Sequence, residues 1–425
     1  MNQLNNRQKI AIAAAVVLLL IVAIFVLLGG GPSATVTITT DDGVEIFTAE
    51  EAGGELVPVG TGTATVEVAV PSRLLVQAVA GNRIVQGGVI VREEGSQELN
   101  LPLSKQNFPY QELYQGAVSD LYIADRAATG IEPSSRSITH FGTEEFVPPR
   151  PAFVGIPFLD KITWGDEDNF NFLAFRGGVY IFKDGKLLNN DQFGKRVVGQ
   201  SDDGIARSGT ELAIGVEDID KVEDGPTYFL GEENIYRSTN LGQTLTSITG
   251  YQPEGDFQSI ATTGESVFRL SAPQPASYAD ETGLEDGSEP LTIATLTRYT
   301  SAGEQNLQLK VDGNQLVGAA KTDSTECALT DRQLVCIASG TTTITPLYTE
   351  LNADIISRGG QIYVLADSGL WRVAEDGGSL ATVVNFKGIG SGLARSLSEY
   401  NGQLIFGTRA AEEGTAAATY RVSGL

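Results

Sequence analysis

The sequence predicts an all-β protein that one N-terminal helix anchors in a membrane, and three observations lead to this prediction. Beyond residue 28, short runs rich in Val, Ile, Thr, Tyr and Phe are separated by Gly, Asp and Asn about every ten residues. Similar strand–turn–strand stretches recur from residue 151 to the end, and helical periodicity is scarce. One long apolar stretch precedes all of them. We therefore expect a transmembrane helix, a small β-sandwich and then a β-propeller of about six or seven blades.

The N-terminal apolar stretch, Ile10–Leu28, contains nineteen consecutive apolar residues and no charge. A helix rises about 1.5 Å per residue, so this length spans the hydrocarbon core of a bilayer. A buried core helix usually carries a polar residue on one face, and this stretch carries none. Arg7 and Lys9 precede it, whereas the first charge after it, Asp41, is acidic. The positive-inside rule therefore predicts a cytoplasmic tail, residues 1–9, and an extracytoplasmic remainder.

The stretch is predicted to remain as a single-pass plasma-membrane anchor rather than to be removed as a signal peptide. Signal-peptide apolar regions are shorter, about 7–15 residues, and end at a site of the A-x-A kind. Gly29 and Gly31 are small, but Pro32 would follow the cut, and no lipid-accepting Cys follows the helix. Cleavage within Gly29–Ser33 stays open at this point. A tail of nine residues is too short to fold, so signalling would need a separate membrane partner.

The chain beyond the apolar stretch is strongly acidic. Two of the 29 basic residues precede the stretch, and the rest stand against 53 acidic residues, which gives a formal charge of −26. Nucleic acid and flat binding to anionic lipid both require basic clusters, so neither is an expected partner. The charge fits a soluble surface, and it is compatible with cationic partners or divalent ions.

The two cysteines, Cys327 and Cys336, are predicted to form a disulfide across a β-hairpin. A two-residue turn at Asp331-Arg332 pairs residue 330 with 333 and, counting outward, Cys327 with Cys336. The count places the cysteines in a non-hydrogen-bonded pair, in which side chains lie closer together. An extracytoplasmic location permits their oxidation. The alternative is a pair of small buried thiols.

Residues 34–103 are predicted to form the first folded unit, a small β-sandwich. The expected strands are 34–40, 44–49, 63–70, 73–80, 88–93 and 97–103. An Asp-Gly turn into a strand (42–46), a Gly-Thr segment leading into a V-x-V strand (62–68) and a closing x-L-x-L-x-L strand (98–103) follow one another. In this order they resemble a PEGA-type module, although the Pro-Glu-Gly-Ala stretch of that family is absent. The resemblance implies a spacer or wall-binding unit just outside a membrane.

Residues 104–150 are predicted as a linker that can include the first propeller strands, and residues 151–425 as the propeller. Hairpin-like stretches recur there without helices between them, and radial repetition lets each sheet bury both faces. A Gln followed by Leu or Ile recurs in these stretches, at Gln315, Gln333, Gln361 and Gln403. Its spacing is irregular, so the repeat is degenerate. A stack of separate sandwiches is the main alternative.

One hairpin matches most of the pattern S-x-D-x-G-x-T-W. Ser238, Gly242 and Thr244 match their positions, whereas Asn240 replaces the Asp and Leu245 replaces the aromatic residue. The hairpin therefore resembles the Asp-boxes of sialidase-type and sortilin-type propellers. In that family the box is a structural turn, in which a short polar side chain caps backbone N–H groups and Gly takes a positive φ. The resemblance thus supports the architecture and implies no activity.

The sequence contains no recognisable catalytic or metal constellation. His140 is the only histidine and no G-x-S-x-G stretch accompanies it, so a nucleophilic triad lacks its base. One His and two paired Cys are too few for a zinc site. The acidic clusters at 166–168, 202–203, 217–220 and 223–224 do not fit the calcium loop D-x-[DN]-x-[DN]-G. We expect no catalytic residue, no cofactor and no metal, with calcium as the one weak alternative.

Together these features predict a binding or scaffold protein, in which an anchor and a spacer module hold a propeller that presents loops to a protein or glycan ligand of the cell envelope. The alternative is an extracytoplasmic glycoside hydrolase of sialidase-like type, because glycoside hydrolysis needs only two carboxylates at the right separation. That family also uses three arginines on a substrate carboxylate, and no local motif marks three arginines here.

Overall fold

The computed structural model describes most of the chain from residue 33 onward. The described residues are 33–50, 52–70, 72–103, 108–115, 121–124, 127–132, 137–141, 150–153, 170–175, 178–183, 186–190, 216–221, 226–239, 244–251, 258–275, 292–348, 352–386, 394–400, 403–408, 418–423 and 425. Within these ranges the chain forms β-strands and no α-helix, so the described part of the protein is all-β, as predicted.

Seven strands precede residue 103, and we call Ser33–Leu103 the N-terminal module. Its strands are β1 (Ser33–Thr39), β2 (Glu45–Ala49), β3 (Val57–Thr61), β4 (Thr63–Ala69), β5 (Ser72–Ala80), β6 (Arg83–Val91) and β7 (Gly95–Asn100). They are hydrogen-bonded in the order β6-β5-β2-β3-β4-β1-β7. Apolar side chains from both ends of this order, such as Val85 and Leu101, share one buried core with Val36 and Ile38. The sheet therefore curls around a core of its own.

The six strands expected in this region are all present, with ends displaced by a few residues, and one further strand was not expected. Strand β3 contains Pro58 and Gly60, which are depleted in strands, and its side chains are largely exposed. Its neighbours β2 and β4 supply its hydrogen bonds. Pairing between neighbouring strands therefore overrides the local preference at this position.

The strands from Tyr110 onward form consecutive antiparallel meanders. The first are β8 (Tyr110–Gln115), β9 (Leu121–Ala124), β10 (Ala127–Glu132), β11 (Ser137–Phe141), β12 (Arg150–Phe153), β13 (Phe170–Phe175), β14 (Gly178–Lys183), β15 (Lys186–Asn190), β16 (Val216–Lys221), β17 (Thr227–Gly231), β18 (Asn234–Ser238) and β19 (Thr246–Gly250). The rest are β20 (Ser259–Thr262), β21 (Ser266–Leu270), β22 (Gln274–Pro275), β23 (Thr292–Thr300), β24 (Gln305–Asp312), β25 (Leu316–Lys321), β26 (Thr325–Thr330), β27 (Gln333–Ala338), β28 (Thr341–Pro346), β29 (Asn352–Arg358), β30 (Gln361–Ala366), β31 (Gly369–Val373), β32 (Leu380–Asn385), β33 (Ala394–Tyr400), β34 (Gln403–Thr408) and β35 (Ala418–Val422).

These meanders form sheets that follow one another around a ring. The sheets are β9–β12, β13–β15, β16–β19, β20–β24, β25–β28, β29–β32, and β33–β35 together with β8. Contacts join the first strands of neighbouring sheets in the order β16-β20-β25-β29-β33-β9-β13. The first and last strands of this arrangement meet, because β33 lies beside β9 and β8 pairs antiparallel with β35, and we call this junction the closure of the ring. This arrangement is propeller-like, and apolar clusters fill the spaces between adjacent sheets.

Several predicted features lie outside the described residues. They are the apolar stretch Ile10–Leu28 with Arg7 and Lys9, residues 29–32 of the cleavage candidate Gly29–Ser33, and the turn residues Asn240 and Gly242. Within the part of the chain that the structure describes, no helix has the length and apolar character needed to cross a membrane.

Candidate functional site

Strands β5 and β6 of the N-terminal module are buried on both faces, which marks the surface on which the module meets the ring. On β5, the alternating residues Leu74 and Val76 point into the module's own core. Leu75, between them, faces the other side and is nevertheless fully buried. A strand whose two faces are both covered has near-continuous apolar sequence. We call the contact between this second face and sheets β20–β24, β25–β28 and β29–β32 the docking interface.

The backbone of the module continues directly into the ring at β6. Gln86 pairs with Leu380 and Val85 with Ala381, so β6 adds to the edge of β32 and one eleven-stranded sheet runs through both parts. Beyond these two pairs, the Thr382 hydroxyl donates to the Ile84 carbonyl at 2.6 Å and accepts from the Ile84 N–H at 3.1 Å. The side chain of Thr382 thereby extends the pairing by one residue.

Two glycines in β6 allow the close approach. A Cβ on Gly88 would lie 2.7 Å from the Leu74 carbonyl oxygen and 2.8 Å from Cγ of Pro346, at the end of β28. A Cβ on the neighbouring Gly87 would lie 2.8 Å from Cδ2 of Leu101 and 3.2 Å from the Gly378 carbonyl oxygen. Any larger residue would separate the module from the ring or displace its core.

A buried ion pair crosses the docking interface. Arg73 Nη1 of β5 lies 2.9 Å from Oδ2 of Asp312, and Arg332 Nη1 lies 3.5 Å from the other carboxylate oxygen. The side chain of Asp312 is only 6% exposed, so these two cations lie beside a carboxylate that is largely removed from solvent. A second contact uses main-chain groups, because the Gly53 N–H donates to the Tyr348 carbonyl and the Tyr348 hydroxyl donates to Gly54, both at 2.8 Å.

The predicted hairpin disulfide lies beneath this interface. The register has Cys327 opposite Cys336 as expected, their Cα atoms are 4.1 Å apart, and the two residues are disulfide-bonded. Gly377, in the turn between β31 and β32, packs against Cys336, where a Cβ would lie 2.3 Å from the cysteine Cβ. The Thr345 hydroxyl donates to the Gly377 carbonyl at 2.9 Å. The disulfide therefore supports the junction between the two sheets on which the module docks.

In the middle of the ring, side-chain oxygens of one sheet accept hydrogen bonds from backbone N–H groups of the next sheet. The bonds are Ile260 N–H to Asp218 Oδ2 (2.8 Å), Thr262 N–H to Asp220 Oδ2 (2.6 Å), Leu316 N–H to Ser259 Oγ (2.8 Å) and Leu397 N–H to Asp354 Oδ2 (2.9 Å). Each bond runs from the first strand of one sheet to the first strand of the next. The three carboxylates and the Ser259 hydroxyl therefore satisfy backbone N–H groups at strand edges that neighbouring strands leave open.

A sequence signal for these bonds exists and was not recognised. A polar residue followed by Ile or Leu marks the start of several first strands, at Asp218-Ile219, Ser259-Ile260, Gln315-Leu316, Asp354-Ile355 and Ser396-Leu397. The recurring Gln noted in the sequence marks different positions, because Gln315 precedes a first strand, Gln361 and Gln403 begin second strands, and Gln333 begins a third. The polar–apolar pair is therefore the better marker of the repeat.

The turns that join first and second strands share one side of the ring, which we call the first-turn face. Antiparallel alternation puts these turns and those joining third and fourth strands at the same end of each sheet. Here Arg298 binds Glu326 (Nη2 to Oε2, 2.6 Å), and the Thr263 hydroxyl donates to the other carboxylate oxygen at 2.6 Å. Lys321 pairs with exposed Glu265, and this bond lowers the pKa of the Glu265 carboxyl.

An aromatic row crosses the sheet that closes the ring. Tyr110 of β8 contacts Tyr420 of β35 with ring centroids 6.1 Å apart, Tyr420 stacks on Phe406 at 5.2 Å, and Phe406 stacks on Phe386 at 5.3 Å. Burial raises the pKa of the Tyr420 phenol, and nearby Glu112 raises it further. The row fastens the earliest ring strand to the last.

The other predicted residues are placed as follows. Ser238 ends β18 and is buried, and Thr244 precedes β19, so both flank a connection between paired strands. The Asp-box interpretation of this turn stays a prediction. His140 lies in β11, where it pairs with Thr129 and Arg150. Within the described ranges, no group of three His, Cys, Asp or Glu side chains is placed to hold a metal ion.

Comparison with known proteins yields no family. No protein-family model matches the sequence, and no curated protein is similar to it. Among solved structures, the chain is similar to the Pan2 WD40 domain of Neurospora crassa (TM-score 0.43, 8% identity, 76% of this chain and 98% of that chain). It is also similar to YCF48 bound to a D1 peptide (0.44, 10%, 76% and 99%) and to BBS1N in complex with ARL6DN (0.45, 8%, 74% and 97%). At identities of 8–10% and TM-scores below 0.5, these likenesses carry no argument about this chain.

Proposed function

We propose that this protein is a membrane-anchored, extracytoplasmic scaffold that binds a protein partner through the first-turn face of a seven-bladed propeller. The blades are the seven successive sheets of the ring, with β8 completing the last of them. The N-terminal module serves as a PEGA-type spacer, the Ser238–Thr244 turn as an Asp-box, and Ile10–Leu28 as the anchor. The proposed location is the outer side of the plasma membrane.

The position of the docking interface is the observation that supports this function most. The module binds the outermost strands β28 and β32 and the end of β24. On the first-turn face of the same three sheets, the turns 263–265, 322–324 and 359–360 join the first two strands of each sheet, whereas the module contacts the outer strands and, through Gly378, the turn 374–379. Asp323 and Gly359 in these turns are exposed. A spacer that holds a ring by its outer strands and one outer turn leaves these inner turns free for a partner.

The first-turn face also has chemistry that suits a protein ligand. Charged pairs held by hydrogen bonds, such as Arg298–Glu326, fix the direction of polar groups before a partner binds. A shallow groove between two sheets is lined by Thr322, Ser324, Gln361 and Glu375. Peptide groups of a partner can exchange hydrogen bonds with such hydroxyl and amide side chains. The carboxylates of Asp218, Asp220 and Asp354, on the first strands of three sheets, accept hydrogen bonds from backbone N–H groups, which gives them a structural role.

Site-directed photo-crosslinking on intact cells tests the proposal. A crosslinking amino acid is placed at Asp323 or Gly359 on the first-turn face and, as a control, at exposed Glu67 in β4 of the module. We expect the two face positions to capture the same polypeptide and the Glu67 position not to capture it. Capture from Glu67 alone, or no polypeptide from either face position, would contradict the proposal. Membrane fractionation of the same cells tests the anchor.

A further inference from the structure

The structure points to a mechanical role for the N-terminal module, and we propose that it is a shear clamp that keeps the ring attached when a bound partner pulls on it. The proposal rests on the proposed function, because a load arises only between an anchor and a partner. Its basis is strand β1, the first strand after the apolar stretch. Strand β1 lies between β4 and β7, and it is paired with β4 from Ser33 to Thr39 and with β7 from Ala34 to Thr39.

The directions of the two pairings determine how a pulling force acts on the hydrogen bonds of β1. Pairing with β7 is parallel, from Ala34 opposite Gly95 to Thr39 opposite Asn100. In a parallel pair, the N-terminal end of one strand and the C-terminal end of the other lie at opposite ends of the pair. A pull between the N-terminus of β1 and the chain leaving β7 therefore slides the strands along each other. Sliding strains all the hydrogen bonds together, whereas peeling breaks them one at a time.

The far end of the clamp is fastened by additional bonds. Leu101 N–H donates to the Thr39 carbonyl, Thr40 N–H donates to the Gly62 carbonyl, and Leu103 N–H donates to Oδ2 of Asp41, each at 2.8 Å. The last of these bonds joins the segment that leaves β7 to the residues that follow β1. The buried side chains of β1 add resistance, because sliding would draw Val36 and Ile38, both fully buried, out of the core.

A force on β1 is transmitted to the ring by two routes, the covalent chain and the hydrogen-bonded sheet. The curled sheet leads from β1 through β4, β3, β2 and β5 to β6, and β6 pairs with β32 of the ring. The Arg73–Asp312 ion pair lies beside this junction. Strand β1 and the ring are therefore joined by continuous hydrogen-bonded sheet, which is the arrangement that a tether under tension requires.

Single-molecule force spectroscopy on the full chain in detergent micelles tests the clamp. One handle is attached at exposed Thr341 in the ring, and the other at either the N-terminus or exposed Asp42. The N-terminal handle loads β1 in shear, whereas the Asp42 handle loads it from the end where β1 and β7 leave the sheet together. We expect a severalfold higher rupture force with the N-terminal handle, and a length gain of about 250 Å as residues 33–103 unfold.

Two proline substitutions provide a matched pair. Since the N–H of Leu101 faces β1, alternation directs the N–H of Gln97 to β1 and that of Glu98 to the outer edge. We expect Gln97→Pro to lower the rupture force in shear and Glu98→Pro to leave it nearly unchanged. Asp41→Ala is the second variant, because it removes one bond at the end of the clamp and keeps both strands. It should lower the force as well.

The outcomes separate the clamp from the proposed function. Equal rupture forces with the two handles, or equal effects of the two prolines, would overturn the clamp whether or not the chain is anchored. A high force in shear from a chain that separates from membranes on fractionation would leave the clamp standing. That second result would overturn the anchored scaffold instead.

Discussion

Gly377 packs directly against Cys336, so that a turn of one ring sheet touches the disulfide of the sheet beside it. The contact is possible only without a side chain, since a Cβ on Gly377 would lie 2.3 Å from Cβ and 2.8 Å from Sγ of the cysteine. Gly377 also has a φ of 75°, which side chains rarely adopt. The carbonyl oxygen of the adjacent Gly378 faces Gly87 of the module, where a Cβ would lie 3.2 Å from it. One turn thus links the disulfide, two ring sheets and the docking interface.

Gly377→Ala should therefore destabilise the protein by more than its backbone conformation explains. Gly360 is the control, because its φ of 76° is nearly the same and a Cβ there would meet nothing within 4 Å. We expect Gly360→Ala to cost about 1 kcal/mol, from the left-handed backbone alone, and Gly377→Ala to cost about 1–3 kcal/mol more from overpacking. Urea denaturation of both variants measures the difference, and equal losses would show that the turn can move away from Cys336.

The disulfide should stabilise the folded chain through the short loop that it closes. Cys327 and Cys336 are separated by nine positions, for which the loop-entropy estimate gives about 3 kcal/mol. We expect the double variant Cys327→Ala/Cys336→Ala to unfold at lower urea concentration by this amount, with a similar slope. Wild-type protein denatured in the presence of a reductant should match the variant. If the oxidised protein and the double variant had the same midpoint, the disulfide would add nothing to stability.

The ion pair of the docking interface should matter because its carboxylate is buried. Arg73→Met keeps most of the aliphatic side chain and leaves Asp312 with the more distant Arg332. Breaking one partner of a buried pair costs about 3 kcal/mol, and we expect a loss of this order in fluorescence-detected denaturation. Exposed Arg92 in the same module supplies the control, since Arg92→Met should change stability by less than about 0.5 kcal/mol. Similar losses for both arginines would contradict a role for the interface.

The parts of the fold that depend on neighbouring residues could be predicted from the sequence. The hairpin register of Cys327 and Cys336 follows from a turn only a few residues away, and counting outward from Asp331-Arg332 was enough. Strands β4 and β7 of the module follow from the alternation of polar and apolar residues at Thr65–Val68 and Glu98–Leu101. Strand β3 was not predicted, because Pro58 and Gly60 are uncommon in strands. Its pairing with β2 and β4 places it in the sheet.

The docking interface could not be predicted in the same way, because its partners are far apart in the sequence. Arg73 and Asp312 are 239 positions apart, and nothing in the sequence near either residue identifies the other. Two local signals were nevertheless present. The run Leu74-Leu75-Val76 has no polar alternation, which indicates a strand covered on both faces, and Gly87-Gly88 interrupts a strand, which indicates close approach of another backbone. Both show that a neighbour exists without showing which.

Tyr420 should make the closure of the ring sensitive to alkaline pH. Burial, with Glu112 nearby, raises the pKa of its phenol in the folded protein, whereas the unfolded chain titrates near the ordinary value of about 10. Above that value the unfolded state releases its proton first, so the stability that Tyr420 contributes is complete below about pH 10 and is lost as the pH rises towards the folded pKa. Tyr420→Phe has no proton to release, and we expect its stability to fall less steeply in this range.

Thermal unfolding of both proteins between neutral and alkaline pH measures this effect, with the wild-type phenolate absorbance followed in parallel. At neutral pH the two proteins should unfold at similar temperatures, because phenylalanine keeps the stacking with Phe406. Burial also raises the pKa of the Tyr363 phenol in β30. The single variant Tyr420→Phe should therefore still lose some stability at alkaline pH. The double variant Tyr420→Phe/Tyr363→Phe should therefore have the flattest profile. Identical alkaline profiles for all three proteins would mean that other groups control the alkaline unfolding of the ring.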